Sequence, residues 1–178
     1  MAETVSPNSE RDAYQQFLDD FQETIQNASL RLLEITDEDA GKRTEEAWTS
    51  KQILGHLIDS AANNHQRFVR AQFTDDLAFP GYDGDQWVDA QKYDDEFWPD
   101  LIDLWRGYNL HLVRIVSIIP ETVLTQQRSK HTLDQIAFKT VPKNESTTLE
   151  YLIRDYLDHL KHHLDQIWRH KWPTPMKN

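Results

Sequence analysis

Three histidines and a glutamine lie close together near the end of the chain, in the segment DYLDHLKHHLDQIW over 155–168. His159 and His163 are four residues apart, so on a helix their side chains lie one above the other, with about 5–6 Å between Cβ atoms. Two imidazoles at this spacing can bind one divalent metal ion. His162, three residues after His159, is the alternative partner.

The helical wheel favours His163 over His162 as that partner. The apolar residues of this segment form one stripe at about 100° per residue, which comprises Leu152, Tyr156, Leu160, Leu164 and Ile167. His163 lies at the edge of the stripe and His159 just beyond it, whereas His162 points toward solvent. The same pattern also fits three surface histidines on an acidic helix, so spacing alone leaves metal binding open.

A catalytic metal site usually has three protein ligands, so a third would come from another part of the chain. The candidates are His56, His65, His111 and His131. Core packing accounts for His65 and equally for His111, and His131 falls in a predicted loop without a motif. His56 lies beside a polar stripe of its helix, formed by Ser60, Asn63 and Arg67. Such a stripe fits a helix that borders either a cavity or water, and the wheel leans toward water.

Hydrophobic periodicity predicts four long helices to position these residues. The first helix is expected over about 9–35, and the second from an N-cap at Thr49 or Ser50 to about 73. The third is expected over about 96–119, and the fourth from Thr147 or Thr148 to about 170. The glycines and proline of FPGYDGDQWVDAQKYDD, over 79–95, predict a long aromatic loop. The segment 121–147 is expected to be irregular, with a short extended stretch. We therefore predict one all-α domain over 1–178, a four-helix bundle with long connecting loops and a disordered tail over 1–10.

Composition excludes several kinds of site and partner. The chain has no cysteine, so it has no disulfide, thiolate zinc site or cysteine nucleophile. The formal net charge is −11, and with no basic stripe we expect no nucleic-acid partner. No apolar run approaches the roughly 20 residues of a membrane span, and MAETVSPNSERD lacks the features of a signal peptide. A cytoplasmic protein with no membrane partner is expected.

Two segments resemble the signatures of the DinB-like superfamily, the DNA-damage-inducible and YfiT-like metal-dependent proteins. WTSKQILGHLIDSAANNHQRF, which begins at Trp48, is similar to the second-helix motif, whose core here is GHL followed by Asp59. HLKHHLDQI, over 159–167, is similar to the last-helix signature, a His followed by a His pair and a Gln. The sequence departs from the commoner pattern at Leu164 and Asp165, where Arg-Gly is frequent.

The resemblance implies a four-helix bundle that holds one divalent metal ion with three histidines. One comes from the second helix and two, four residues apart, from the last, which correspond here to His56, His159 and His163. Zinc and nickel both suit imidazole ligands. Members with known activities are thiol-dependent transferases and isomerases, others are assigned hydrolase roles, and relatives often form dimers.

Two functional hypotheses follow from this resemblance. The first is a metal-dependent hydrolase or thiol-dependent transferase that acts on a small molecule, in which the metal lowers the pKa of the nucleophile it holds. In it, Asp59 would orient His56 or accept a proton, and an anionic substrate group would contact Asn63 and Arg67. A cover over the substrate would come from Tyr82 and Trp87. The second is a non-catalytic bundle, with a binding or structural role, whose metal only ties the second helix to the last. No catalytic residue beyond the metal ligands is assigned.

Overall fold

The computed structural model describes residues 7–43 and 48–169, with side chains from residue 11 onward. Within those ranges the regular secondary structure is helical. In chain order the helices are α1 (Pro7–Leu32), α2 (Asp37–Ala40), α3 (Ser50–Arg70), α4 (Gly84–Gln91), a 3-10 helix (Tyr93–Asp95), α5 (Trp98–Val116), α6 (Glu121–Leu124), α7 (Leu133–Ile136) and α8 (Leu149–Arg169).

The four long helices α1, α3, α5 and α8 form the bundle, which confirms the predicted all-α fold class. Helix α3 packs against α5 and α8, and α1 packs against the same two helices. The consecutive long helices α1 and α3 therefore lie on a diagonal of the bundle. This arrangement makes α3 and α8, the two helices that carry the histidine motifs, direct neighbours.

Side-chain caps fix where these two helices begin. The hydroxyl of Thr49 accepts the N–H of Gln52 at 3.1 Å, and the Gln52 side chain accepts the N–H of Thr49 at 3.0 Å. This capping box selects Thr49 over Ser50 as the N-cap of α3. At α8 the hydroxyl of Thr148 accepts the N–H of Tyr151 at 3.1 Å. Each cap thus sets the start of a helix that carries candidate ligands.

A buried hydrogen bond also fixes α8 against the core. The hydroxyl of Tyr156 donates to Oδ1 of Asn109 on α5 at 2.5 Å, and both side chains are buried. The surrounding core is strongly aromatic, with Phe21, Phe68 and Trp105 fully buried. Because Tyr156 precedes His159 by one helical turn, this bond orients the ligand-bearing face of α8.

The structure differs from the sequence predictions at several boundaries. Helix α1 begins at Pro7, so residues 7–10, predicted within a disordered tail, have helical backbone, and residues 1–6 lie outside the described range. Helix α5 covers less than the predicted 96–119. Helix α8 is described to Arg169, and the predicted end at about 170 lies outside that range. The single-domain assignment stays a prediction.

The predicted loop over 79–95 is partly helical. It contains α4 and the 3-10 helix because Asp83 caps α4, its carboxylate accepting the N–H of Gln86 at 3.0 Å. Lys92 ends α4 in the left-handed conformation, with φ 56°. The segment 121–147 holds α6, α7 and two isolated bridges, Leu77–His131 and Arg128–Thr147. No helix among the described residues is both long and apolar enough to cross a membrane.

Candidate metal centre

Three histidine side chains from two neighbouring helices meet in the structure. His56 comes from α3, and His159 and His163 from α8. One ligand atom from each of the three rings lies within 4.8 Å of the others. The ring centroid of His163 is 4.7 Å from that of His56 and 4.5 Å from that of His159. In the part of the chain that the structure describes, no other group of three metal-ligating side chains lies this close.

The donor set fits a divalent metal ion. Two nitrogens at about 2.0–2.1 Å from a tetrahedral zinc ion would be about 3.3–3.4 Å apart. The Nε2 atoms of His56 and His159 are 3.3 Å apart. This separation is longer than the usual range for an N–H hydrogen bond. The separation of these two nitrogens therefore fits a shared divalent cation.

A hydrogen bond on the outer side of the His163 ring leaves its Nε2 atom available. Oε1 of Gln166 can only accept a hydrogen bond, and it lies 2.7 Å from Nδ1 of His163. That nitrogen therefore carries the hydrogen, and Nε2 of His163 keeps its lone pair. Nδ1 of His159 lies 3.4 Å from the hydroxyl of Ser60. Nδ1 of His56 is buried and has no hydrogen-bond partner among the described residues.

Burial keeps the three imidazoles neutral. It lowers the pKa of His56 to about 4, with a further contribution from His163. Burial and the neighbouring histidines lower the pKa of His159 to about 2. The pKa of His163 is also lowered, chiefly by burial. At neutral pH all three rings therefore offer lone pairs, as metal binding requires.

A cavity of about 370 Å³ adjoins His56 and His159. Its walls come from α3, α8, the segment that precedes α4, and the segment 135–138. Trp48 packs on the other side of the centre, with its ring 5.1 Å from that of His56 and 6.4 Å from that of His163. His56 is thus packed against Trp48 and also lines the cavity.

Two of the predicted pocket residues line this cavity. Arg67 is buried in the wall formed by α3, and Tyr82 lies in the wall before α4. The ring of Tyr82 is 6.4 Å from that of His56. Trp87 does not line the cavity. Its ring centroid is 4.8 Å from that of Tyr82, and it is 39% exposed. Asn63 does not line the cavity and instead donates to a carbonyl of its own helix at 2.9 Å.

Asp59 holds the segment that covers His56. Its Oδ1 accepts hydrogen bonds from the side chain of Gln91 at 2.6 Å and from the hydroxyl of Tyr93 at 2.8 Å. The hydrogen bond from Tyr93 requires glycine at position 55, because a Cβ there would lie 2.5 Å or less from three carbon atoms of the Tyr93 ring. Gly55 and Asp59 of the second-helix motif therefore secure α4 and the 3-10 helix. Neither of the described hydrogen bonds of Asp59 reaches a histidine.

The sequence also left some cavity residues unassigned. Ser60 and Asn64 line the cavity one and two turns after His56, and spacing in steps of four would have indicated both. No spacing pattern in the sequence indicated Asp155 or Phe138. The carboxylate of Asp155 accepts the backbone N–H of Phe138 at 2.8 Å, and that segment has no motif.

The remaining histidines lie outside the centre. His65 and His111 face each other with ring centroids 5.3 Å apart, and His111 is exposed rather than buried as the sequence suggested. His131 is buried and bonded to the backbone, accepting the N–H of Leu133 at 3.1 Å. His162 is exposed.

The fold and the histidine cluster define a helical-bundle protein with a candidate metal centre. The family model of the DinB superfamily matches residues 20–167. The chain therefore belongs to the DinB superfamily, which confirms the resemblance of its two motifs.

Among solved structures, YfiT from Bacillus subtilis is similar to this chain. The TM-score is 0.66 at 19% sequence identity, and the match covers 94% of this chain and 89% of that chain. YfiT is described as a probable metal-dependent hydrolase with an unusual four-helix bundle topology. At this identity the likeness shows the shared fold. No curated protein sequence matches the chain.

Proposed function

We propose that His56, His159 and His163 bind one divalent metal ion, zinc or nickel, and that the protein is a metal-dependent hydrolase or thiol-dependent transferase. The observation that carries this proposal is the meeting of three neutral imidazoles, two of which line a cavity of about 370 Å³. A cavity of this size suits a small-molecule substrate, with a low-molecular-weight thiol as second substrate in the transferase case.

The residues of the chain would bind and shield the substrate. A metal with three histidine ligands supplies Lewis acidity and lowers the pKa of a nucleophile. Tyr82 and residues 135–138 form part of the cavity wall and would shield a bound substrate from water. Asp155 is poorly placed as a general base, because its two oxygens accept the N–H groups of Phe138 and Lys139 at 2.8 and 2.7 Å.

That engagement of Asp155 also favours the second candidate function. Among the described residues, Asp155 is the one carboxylate that lines the cavity, and it holds the backbone of Phe138 and Lys139. A protein whose metal only ties α3 to α8 would need no general base. In that case, removal of the metal lowers stability, and no small molecule binds beside the metal.

Metal analysis of histidine variants tests the centre directly. Wild type purified aerobically should carry about one equivalent of metal per chain, and His56→Ala, His159→Ala and His163→Ala should each lose most of it. His162→Ala is the matched control, because His162 is exposed on the same helix and its loss should leave metal content unchanged. Full metal content in the His159→Ala variant would contradict the proposed centre.

A substrate screen then separates the two functions. Ester and amide hydrolysis and thiol transfer are measured before and after chelation of the metal. Catalysis predicts an activity that is lost with the metal and regained when it is restored. An activity that survives removal of the metal contradicts the enzymatic proposal. Homodimer formation and a cytoplasmic location stay predictions, and sedimentation analysis tests the first of them.

A further inference from the structure

Arg67 is a buried guanidinium in the cavity wall with spare hydrogen-bond donors. Its side chain is only 6% exposed. One terminal nitrogen donates to Oδ1 of Asn64 at 3.4 Å, and the other donates to the carbonyl of Pro80 at 3.2 Å. A guanidinium has five N–H donors, so most of those of Arg67 have no protein acceptor among these contacts.

No counter-ion accompanies this buried charge. Within the described ranges, no carboxylate lies within 4.0 Å of the guanidinium of Arg67. Asp155 lines the same cavity, but its two oxygens accept the backbone N–H groups of Phe138 and Lys139. Tyr82 stays protonated at neutral pH, because burial raises its pKa to about 12. A buried charge without a partner is destabilising, and an anionic ligand would relieve that cost.

We infer that the cavity binds a small carboxylate whose carboxylate group pairs with Arg67 while its reactive end reaches the metal held by the three histidines. This inference rests on the proposed function, because the second contact needs the metal. The planar fork of a guanidinium matches a carboxylate in two parallel hydrogen bonds. The side-chain amide of Asn64 donates to Ser60. The cavity therefore offers one cation beside the neutral hydroxyl of Tyr82, which suits a monoanion better than a phosphate dianion.

Helix geometry sets the length of the ligand. Arg67 follows His56 by eleven residues on α3, roughly 16 Å along the axis at 1.5 Å per residue. Side chains on a helix lean toward its N-terminus, so the guanidinium reaches back toward the centre. Arg67 and His159 line the same cavity, so one bound molecule can contact both. We expect about 10 Å or less between the carboxylate and the reactive group of the ligand.

Matched thiol probes test this inference without knowledge of the natural substrate. The full chain is loaded with cobalt(II), whose absorption spectrum reports thiolate binding. It is then titrated with mercaptohexanoate, mercaptohexanol and mercaptohexyl phosphate, which share one chain length. Mercaptohexanoate should bind about 10- to 100-fold more tightly than mercaptohexanol, as expected for a charge-assisted hydrogen-bonded pair.

Variants of Arg67 show whether this residue causes the preference for mercaptohexanoate over mercaptohexanol. Arg67→Gln should abolish it at unchanged cobalt content, and Arg67→Lys should keep only part of it, because lysine retains the charge and loses the fork. Arg70→Gln is the matched control, since Arg70 is exposed one turn further along α3 and its loss should leave the preference intact. The comparison of probes on wild type decides the question even if Arg67→Gln fails to fold.

The outcomes separate this inference from the proposal beneath it. Failure of wild type to take up cobalt overturns both. Uptake of cobalt with equal binding of mercaptohexanoate and mercaptohexanol overturns the carboxylate site and leaves the metal centre standing. Tighter binding of mercaptohexyl phosphate than of mercaptohexanoate also overturns it, because the site would then select a dianion.

Discussion

Gly55 offers a test of how the second-helix motif holds α4 and the 3-10 helix beside the metal centre. Gly55→Ala in the middle of α3 would normally stabilise a helix, by about 1 kcal/mol. Here the added Cβ would overlap the ring of Tyr93, which is 6% exposed and bonded to Asp59. The sign of the effect therefore reports whether Tyr93 is seated against Gly55.

The expected magnitude follows from these two opposing terms. Inserting a methyl group into a filled site costs about 1–3 kcal/mol, occasionally more. Complete displacement of a buried aromatic ring costs about 3–5 kcal/mol, the upper limit. After subtraction of the helix gain, we expect Gly55→Ala to lower the free energy of unfolding by roughly 1–3 kcal/mol.

Urea denaturation followed by circular dichroism measures the change, and Gly107→Ala is the matched control. Gly107 also lies inside a long helix, but a Cβ there would have nothing within 4 Å. Its replacement should raise the free energy of unfolding by about 0.5–1 kcal/mol. In a Tyr93→Ala background, Gly55→Ala should become stabilising by a similar amount, because the clash is gone.

Stabilisation by Gly55→Ala equal to that by Gly107→Ala would refute this reasoning. So would a destabilisation that persists undiminished in the Tyr93→Ala background. Either result would mean that Tyr93 does not pack on Gly55 in solution, and the role assigned to the motif glycine would fall with it.

Three further predictions concern the surroundings of the centre and the end of α3. Gln166→Leu removes the acceptor of the His163 Nδ1 hydrogen and should weaken metal affinity about 10- to 100-fold in a competition titration with a chelator. Burial raises the pKa of Asp59, so its contribution to stability is present at low pH and falls as pH rises through the native pKa. The stability of Asp59→Asn relative to wild type should therefore rise between about pH 3 and pH 7 in urea titrations. Arg128→Met should lower the free energy of unfolding by about 3 kcal/mol or more, because this buried guanidinium donates to three backbone carbonyls.

Two of these predictions have a control variant on the same element or close by. Asp165→Asn, exposed beside Gln166, should not change metal affinity, and an equal loss in both variants would point to helix damage. For Asp59, a relative stability that stays flat or falls as pH rises would contradict the raised pKa. Lys130→Ala removes an exposed ion pair with Asp76 and should cost less than about 1 kcal/mol. A similar cost for Arg128→Met would show that its bonds contribute little.

The helical class and two of the three candidate ligands could be predicted from local pattern. The period of apolar residues reports which face of a helix is buried, so four long helices followed from the sequence. The choice between His162 and His163 rested on the same wheel, and the structure places His163 in the cluster and His162 in solvent. His56 could not be chosen from its helix alone, and it required the resemblance of a second motif.

The roles of the other polar residues depended on contacts between distant segments. The wheel grouped Asn63 with Arg67, but the cavity is lined by Asn64 instead. Asp59 was assigned to His56 because of proximity in sequence, whereas its partner Tyr93 is 34 residues away. No local pattern indicates such pairings, because a helix wheel gives a direction and does not identify the neighbour that lies in that direction.

What the sequence alone determined is therefore the four long helices, the exclusion of cysteine chemistry and a candidate ligand triad. The tertiary structure decided that α1 and α3 lie on a diagonal, so that α3 and α8 meet and His56 reaches His159 across 103 residues. It also decided that Arg67 is buried in the wall of a cavity rather than exposed to water. The physical reason is that burial and charge pairing depend on which surfaces pack together, and that choice is made by the whole chain at once.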